Sequence, residues 1–299
     1  MRNSVKHILT VLLTTVLLGS LTMIAWQSYR SRVAADMYAQ AQELASPSSS
    51  KENVIPEQQN SSSSEEQTED VTAVQQKPPV EDAEAPSTEE PAAQEEDPVA
   101  DDPFLAELSN TDLSSLRAVN PDVVGWIAIP GTPISYPLMQ GADNEFYLKH
   151  TWNGVASAAG SIFLESEISA ALDDFNTIVY GHRMMNDSMF GSLKYYKETD
   201  YWKEHPYIYI LDDAGVHRYE IFSIYEAAVR SYTYQIGFAD DSAKEKFLNK
   251  CMEWSVVETN VTPTIRDRIL TLSTCTGKGY DTRWVVQARL VPTDILDQR

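Results

Sequence analysis

The sequence predicts a mostly β domain: a closed eight-stranded barrel with an N-terminal helix and one helix inserted between the sixth and seventh strands. Three observations predict it. From Phe104 onward the composition is that of a packed domain, rich in Ile, Val, Tyr, Trp and Phe. Within it, eight short β-like runs are bounded by Gly, Pro, Asn and Asp: 124–129, 134–139, 161–164, 177–181, 207–211, 218–228, 269–274 and 283–290. One confident helical pattern interrupts them at residues 241–253, with Phe247, Leu248, Cys251 and Trp254 on or near one stripe. Many short strands with a single long helical insertion suit a closed or nearly closed barrel. A shorter helical stretch, residues 105–119, leads into the first strand and ends before Pro121.

The N-terminal third reads differently. Residues 8–26, ILTVLLTTVLLGSLTMIAW, form a run of 19 residues without a charge. As a helix it extends about 28 Å, close to the hydrocarbon thickness of a bilayer. A cleaved signal peptide is the alternative, but its apolar core is usually about 7–15 residues long. The one small-residue cleavage candidate, Val33-Ala34-Ala35, lies beyond Arg30 and Arg32. Residues 1–30 are therefore expected to be a cytoplasmic tail and an uncleaved transmembrane signal anchor. Flanking charge barely sets the orientation, with Arg2 and Lys6 on one side and Arg30 and Arg32 on the other. The acidic segment downstream favours a single pass with the bulk of the chain outside the cell.

Residues 31–103 are expected to be a disordered linker. Most of it is Ser, Glu, Gln, Pro and Ala, and no aromatic residue occurs between Tyr38 and Phe104. Such a segment buries too little apolar surface to offset chain entropy, and self-repulsion keeps it extended. The formal net charge of -21 is concentrated there: residues 43–112 carry 19 Asp/Glu against Lys51 and Lys77. The acidity thus describes a stalk rather than a substrate. No basic face is available to neutralise phosphates, so nucleic acid is excluded as a partner. The remaining residues, 104–299, make the folded domain.

Two cysteines are too few for a disulfide scaffold, and they lack metal-ligand spacing. A single Cys251–Cys275 disulfide is the alternative to two free thiols. Cys251 sits on the apolar stripe of its helix and reads as a buried structural thiol. Cys275 ends an apolar strand, where a side chain can project from a rigid edge. A thiolate nucleophile needs a nearby cation or base to form near neutral pH, and the sequence offers both. Arg283 opens the next strand eight residues on, so antiparallel pairing would return it close to Cys275. His182 ends another strand in Tyr-Gly-His-Arg, where Gly181 lets the chain turn. Singly, each residue has an ordinary reading: a buried small thiol, a surface imidazole, an edge charge.

Together with their flanks they resemble the sortases, and within them class B. Thr271-Leu272-Ser273-Thr274-Cys275 is similar to the cysteine signature of that family, followed by Asp281-Thr282-Arg283-Trp284. Val179-Tyr180-Gly181-His182 is similar to its histidine signature, continuing into Asp187-Ser188-Met189-Phe190-Gly191-Ser192-Leu193. Gly125-Trp126-Ile127, Gln140-Gly141-Ala142-Asp143-Asn144 and Gly160-Ser161-Ile162-Phe163 resemble the N-terminal strands of class B, and the inserted helix is also a class B trait.

The resemblance implies a sortase-type barrel and a two-step acyl transfer. Cys275 would attack a Thr carbonyl in the C-terminal sorting signal of a surface protein, giving a thioester. His182 would move protons, and Arg283 would hold the oxyanion or the substrate backbone. Asn144, Leu148, Tyr180 and Ser273 would line the substrate groove, and the acceptor would be an amine of a peptidoglycan precursor. A pilin polymerase using a Lys amine is one alternative, a plain cysteine protease another, and a non-catalytic surface adhesin a third. No second His or carboxylate cluster accompanies His182, so neither metal nor organic cofactor is expected. His150, His205 and His217 match no motif and read as surface or loop residues.

Overall fold

The computed structural model describes residues 2–46, 102–279 and 281–292, with the side chains of residues 2–11, 24, 26–28, 30 and 31 outside that description. Eight strands close into a barrel: β1 (Val123–Ala128), β2 (Ser135–Met139), β3 (Ile162–Leu164), β4 (Asn176–Tyr180), β5 (Tyr207–Asp212), β6 (Gly215–Ala228), β7 (Ile269–Cys275) and β8 (Thr282–Leu290). Their order around the barrel is β1-β2-β3-β4-β7-β8-β6-β5, with β5 returning to β1. Every strand falls on one of the eight predicted runs. Two pairings are parallel, β2 with β3 and β4 with β7; the rest are antiparallel. The parallel β4–β7 pairing requires a long crossover, and that crossover holds β5, β6 and the inserted helix.

Among the described residues five α-helices accompany the strands: α1 (Arg2–Ala45), α2 (Pro103–Ser109), α3 (Leu113–Val119), α4 (Thr199–Glu204) and α5 (Asp241–Trp254). The expected single helix over 105–119 is two helices. Asp112 caps a new one, its carboxylate accepting from the backbone N–H groups of Ser114 and Ser115 at 2.9 and 3.2 Å. Such a cap satisfies donors that a continuous helix would have paired with carbonyls. α5 matches its prediction, starting at the Asp240 cap and burying Phe247, Leu248 and Cys251 against β6 and β8. The barrel interior is filled from several strands by Ile127, Leu138, Leu164, Val179, Ile210, Leu272 and Val286, all buried.

Residues 31–45, assigned by composition to the linker, are helical instead. Ala34, Tyr38, Ala41 and Ala45 follow the helical period and are buried against the barrel core. Residues 47–101, the greater part of the expected linker, lie outside the described residues. The expected spanning anchor is not supported. Among the described residues no helix is long and apolar enough to cross a membrane, and residues 8–26 are one stretch of α1, which continues past Arg30 and Arg32 to Ala45.

Candidate active site

The register of two strand pairs assembles the three residues singled out in the sequence. Cys275 is the last residue of β7, and its antiparallel partner on β8 is Arg283. The β4–β7 pairing is parallel and in register through Tyr180 and Ser273. His182 lies two residues past Tyr180 and Cys275 two past Ser273, so the two residues come at the same level. The bond from Gly181 N–H to the Ser273 carbonyl, 3.2 Å, extends the pairing one residue towards them.

Residues two apart on a strand share a face, which places Thr271, Ser273 and Cys275 together, opposite Gln287, Val285 and Arg283. Far from Cys275 this face is sealed by α5: Gln287 donates to Thr271 Oγ1 at 3.0 Å and accepts from the Tyr225 hydroxyl at 3.1 Å. At the Cys275 end the face is open, and Cys275 itself is partly exposed. Cys251 is a free thiol as well, but fully buried under α5, where burial pushes its pKa up to about 11. Of the two sulfurs, only Cys275 is placed to meet a substrate.

The His182 imidazole is held by backbone. Its Nε2 lies 2.7 Å from the Leu148 carbonyl oxygen, an atom that only accepts, so Nε2 carries the proton of the neutral ring and Nδ1 is its acceptor nitrogen. Gly160, at φ +58°, backs this contact: a Cβ there would come within 2.8 Å of the Leu148 oxygen and 3.0 Å of His182 Cδ2. Gly181 was expected to provide a turn, yet its φ is not positive. The need is for space, since a Cβ would lie 2.4 Å from Ile162 and 2.7 Å from the Phe190 ring.

Asn144, Tyr180 and Ser273, predicted as groove residues, converge through two residues that the sequence did not single out. Glu165, just after β3, accepts from Asn144 Nδ2 on one oxygen and from the Tyr180 hydroxyl at 2.9 Å on the other. Asn144 Oδ1 accepts from Ser166 N–H at 2.9 Å, so its amide is anchored at both ends. Tyr234 stacks on Tyr180 with ring centroids 6.3 Å apart, and its hydroxyl lies 2.9 Å from Ser273 Oγ. The turn carrying Tyr234 is fixed by Asn176 of β4, which donates to the Thr233 and Gln235 carbonyls at 3.1 and 3.0 Å. Leu148 contributes through its carbonyl as well as its half-buried side chain.

Charge follows the same geometry. Burial raises the pKa of Tyr180, the Glu165 carboxylate raises it further, and the Arg283 guanidinium opposes both. Burial raises Tyr234 too, with Arg283 acting against it and Cys275 with it. Both phenols are therefore neutral donors at physiological pH, and both lie within the field of Arg283. His150, His205 and His217 do structural work elsewhere: His150 stacks on Phe146, His205 bonds the Pro130 carbonyl, and His217 pairs with Asp212. Among the described residues, no group of three His, Cys, Asp or Glu side chains could hold a metal ion.

The pattern of the family described as the sortase domain matches residues 127–291, more than half of the chain and all of the site. The chain belongs to the sortase family. Its relatives place this sortase in class B. It is 38% identical over 182 residues to sortase B of Listeria monocytogenes, covering 60% of this chain and 74% of that one. To sortase B of Staphylococcus aureus it is 32% identical over 179 residues, covering 59% and 73%. Among solved structures, sortase B of Clostridium perfringens superposes with a TM-score of 0.58 at 34% identity, over 60% of this sortase and 100% of that chain. A Staphylococcus aureus sortase B–substrate complex gives the same TM-score at 31% identity, over 60% and 85%. This sortase is thus a cysteine transpeptidase of the type that sorts proteins to the cell wall.

Proposed function

We propose that Cys275 is the nucleophile, His182 the proton carrier and Arg283 the oxyanion or backbone clamp of a two-step acyl transfer. The observation that carries this is the strand register, with Cys275 opposite Arg283 on β8 and level with His182 beyond β4. The Cys275 thiol first passes its proton to His182 Nδ1, and the resulting thiolate attacks the Thr carbonyl carbon of a sorting signal. Its lone pair forms the C–S bond, and the carbonyl π electrons move to oxygen, beside the guanidinium fork. The oxyanion then collapses and the C–N bond breaks, the departing amine taking a proton from His182 Nδ1. An incoming amine attacks the thioester, gives its surplus proton back to Nδ1, and expels the Cys275 thiolate as the new amide forms.

The neutral donors Tyr180 and Tyr234, with Ser273 and Asn144, line the approach to Cys275 and orient the peptide. The acceptor in this reading is an amine of a peptidoglycan precursor. In this reading the barrel works at the outer face of the cell, near both substrates. The test is a peptide assay with and without an added amine. Formation of a new amide product supports transfer, whereas hydrolysis at the same rate with no ligated product would make the protein a protease.

A further inference from the structure

The segment that holds the His182 carbonyl acceptor runs from Tyr147 to Ser161. It is pinned to itself by Ser161 N–H to the Tyr147 carbonyl at 2.8 Å and Ser157 N–H to the Lys149 carbonyl at 2.7 Å. Against this segment lies α1. The Tyr38 hydroxyl donates to the Gly160 carbonyl and lies 3.3 Å from Ser161 Oγ. One turn face over, the Trp152 indole N–H donates to the Met37 carbonyl at 2.9 Å. Gly160 is the residue whose backbone packs on both the Leu148 oxygen and the His182 ring.

A second route reaches the same histidine from its other side. The Tyr38 ring meets Tyr136 edge-on, with centroids 5.2 Å apart. The Tyr136 hydroxyl accepts from Met189 N–H at 3.0 Å, and the neighbouring Phe190 N–H donates to the His182 carbonyl at 3.0 Å. Tyr38 thus touches one loop that borders His182 through its hydroxyl, and is linked to the other through Tyr136 of β2.

We infer that Tyr38 is a positioning residue for His182, and that the end of α1 is a working part of the active site rather than a tether. The inference rests on the reading of His182 as the proton carrier. Packing alone does not account for Tyr38, because a phenyl ring would fill the same space, whereas a buried hydroxyl must be partnered. Burial raises the Tyr38 pKa, which keeps the hydroxyl protonated and donating. Losing its bond frees the Gly160 peptide to move, and with it the surface on which the imidazole and the Leu148 carbonyl rest. Misplacement of a catalytic group by about 1 Å can cost up to 10²-fold in rate.

The experiment compares Tyr38→Phe with Gln42→Ala in the full chain. Gln42 also reaches the barrel from α1, but its hydrogen bond goes to the Ser135 carbonyl on β2 rather than to the Tyr147–Ser161 segment. Two quantities are read: ligation kinetics, and the imidazole N–H resonance of His182 in protein labelled with ¹⁵N-histidine. The expectation for Tyr38→Phe is a kcat lower by about tenfold with KM within about twofold, and a displaced His182 N–H resonance. Gln42→Ala should change neither. An unmoved His182 resonance in Tyr38→Phe overturns the inference whatever the rate, because α1 is then packing only. A His182→Ala variant separates the underlying reading: if it retains turnover, His182 is not the proton carrier, while the resonance still reports whether Tyr38 positions the ring.

Discussion

Cys275 and Arg283 face each other as paired residues at the open end of the β7–β8 ladder, so the length of the hairpin sets their approach. The guanidinium charge also acts on Tyr180 and Tyr234, on the aromatic side of the groove. Arg283→Ala should lower turnover about 10²–10³-fold, the usual loss for one oxyanion donor. Arg283→Lys should recover only part of it, since an ammonium keeps the charge and loses the fork. Steady-state kinetics beside a thermal melt checks this, and near-normal rates in both variants would reduce Arg283 to a strand-edge charge.

The two thiols should separate cleanly. Cys275→Ala should abolish cleavage and ligation, while Cys251→Ala should leave turnover largely intact. In the folded protein at pH 8, iodoacetamide should label Cys275 alone, because the Cys251 sulfur is buried and its pKa, about 11, keeps it protonated. Peptide mapping of the alkylated protein, before and after denaturation, reads this directly. Labelling of Cys251 in the native state would contradict the assignment.

Glu165 ties two groove residues together, and its loss should appear in binding before chemistry. Glu165→Gln retains the size but removes the charge and replaces one acceptor oxygen with a donor, so Asn144 Nδ2 and the Tyr180 hydroxyl can no longer each donate to a carboxylate oxygen of their own. KM for the sorting peptide should rise several-fold while kcat changes less. A fall confined to kcat would instead put Glu165 in the chemical step.

Truncation should reveal where the folded domain begins. A chain starting at residue 33 keeps the buried stripe Ala34, Tyr38, Ala41 and Ala45; one starting at residue 47 loses it. Full burial of one large apolar side chain contributes on the order of 1.5–3 kcal/mol. For a domain of this size that corresponds to a Tm lower by roughly 3–12 °C in the shorter chain. Equal melting temperatures would return these residues to the linker.

Much of this was legible in sequence, for a local reason. Each strand is a short apolar run closed by turn residues, and Cys275, His182 and Arg283 all lie at or just past strand ends, so the ends of the runs marked the residues that the register brings together. What was missed depends on contacts far apart in sequence. Glu165 acts only because β3 lies beside β4, and Tyr234 only because the turn after β6 folds back over Ser273. Tyr38 was within reach: 34, 38, 41 and 45 keep the helical spacing, but three alanines give a weak apolar signal beside a Ser/Glu-rich neighbour. The break in the 105–119 helix was readable too, in Asp112 followed by Ser114 and Ser115.

The central claim is a thioester on Cys275 that an amine resolves. Intact-mass spectrometry of the enzyme mixed with a sorting-signal peptide, quenched in acid on the turnover timescale, measures it. The account predicts a single adduct with the mass of the acyl fragment, mapped to Cys275, that disappears on adding an amine as the ligated peptide appears. An adduct on Cys251, or turnover with no cysteine adduct in either wild type or a deacylation-slowed His182 variant, would contradict it.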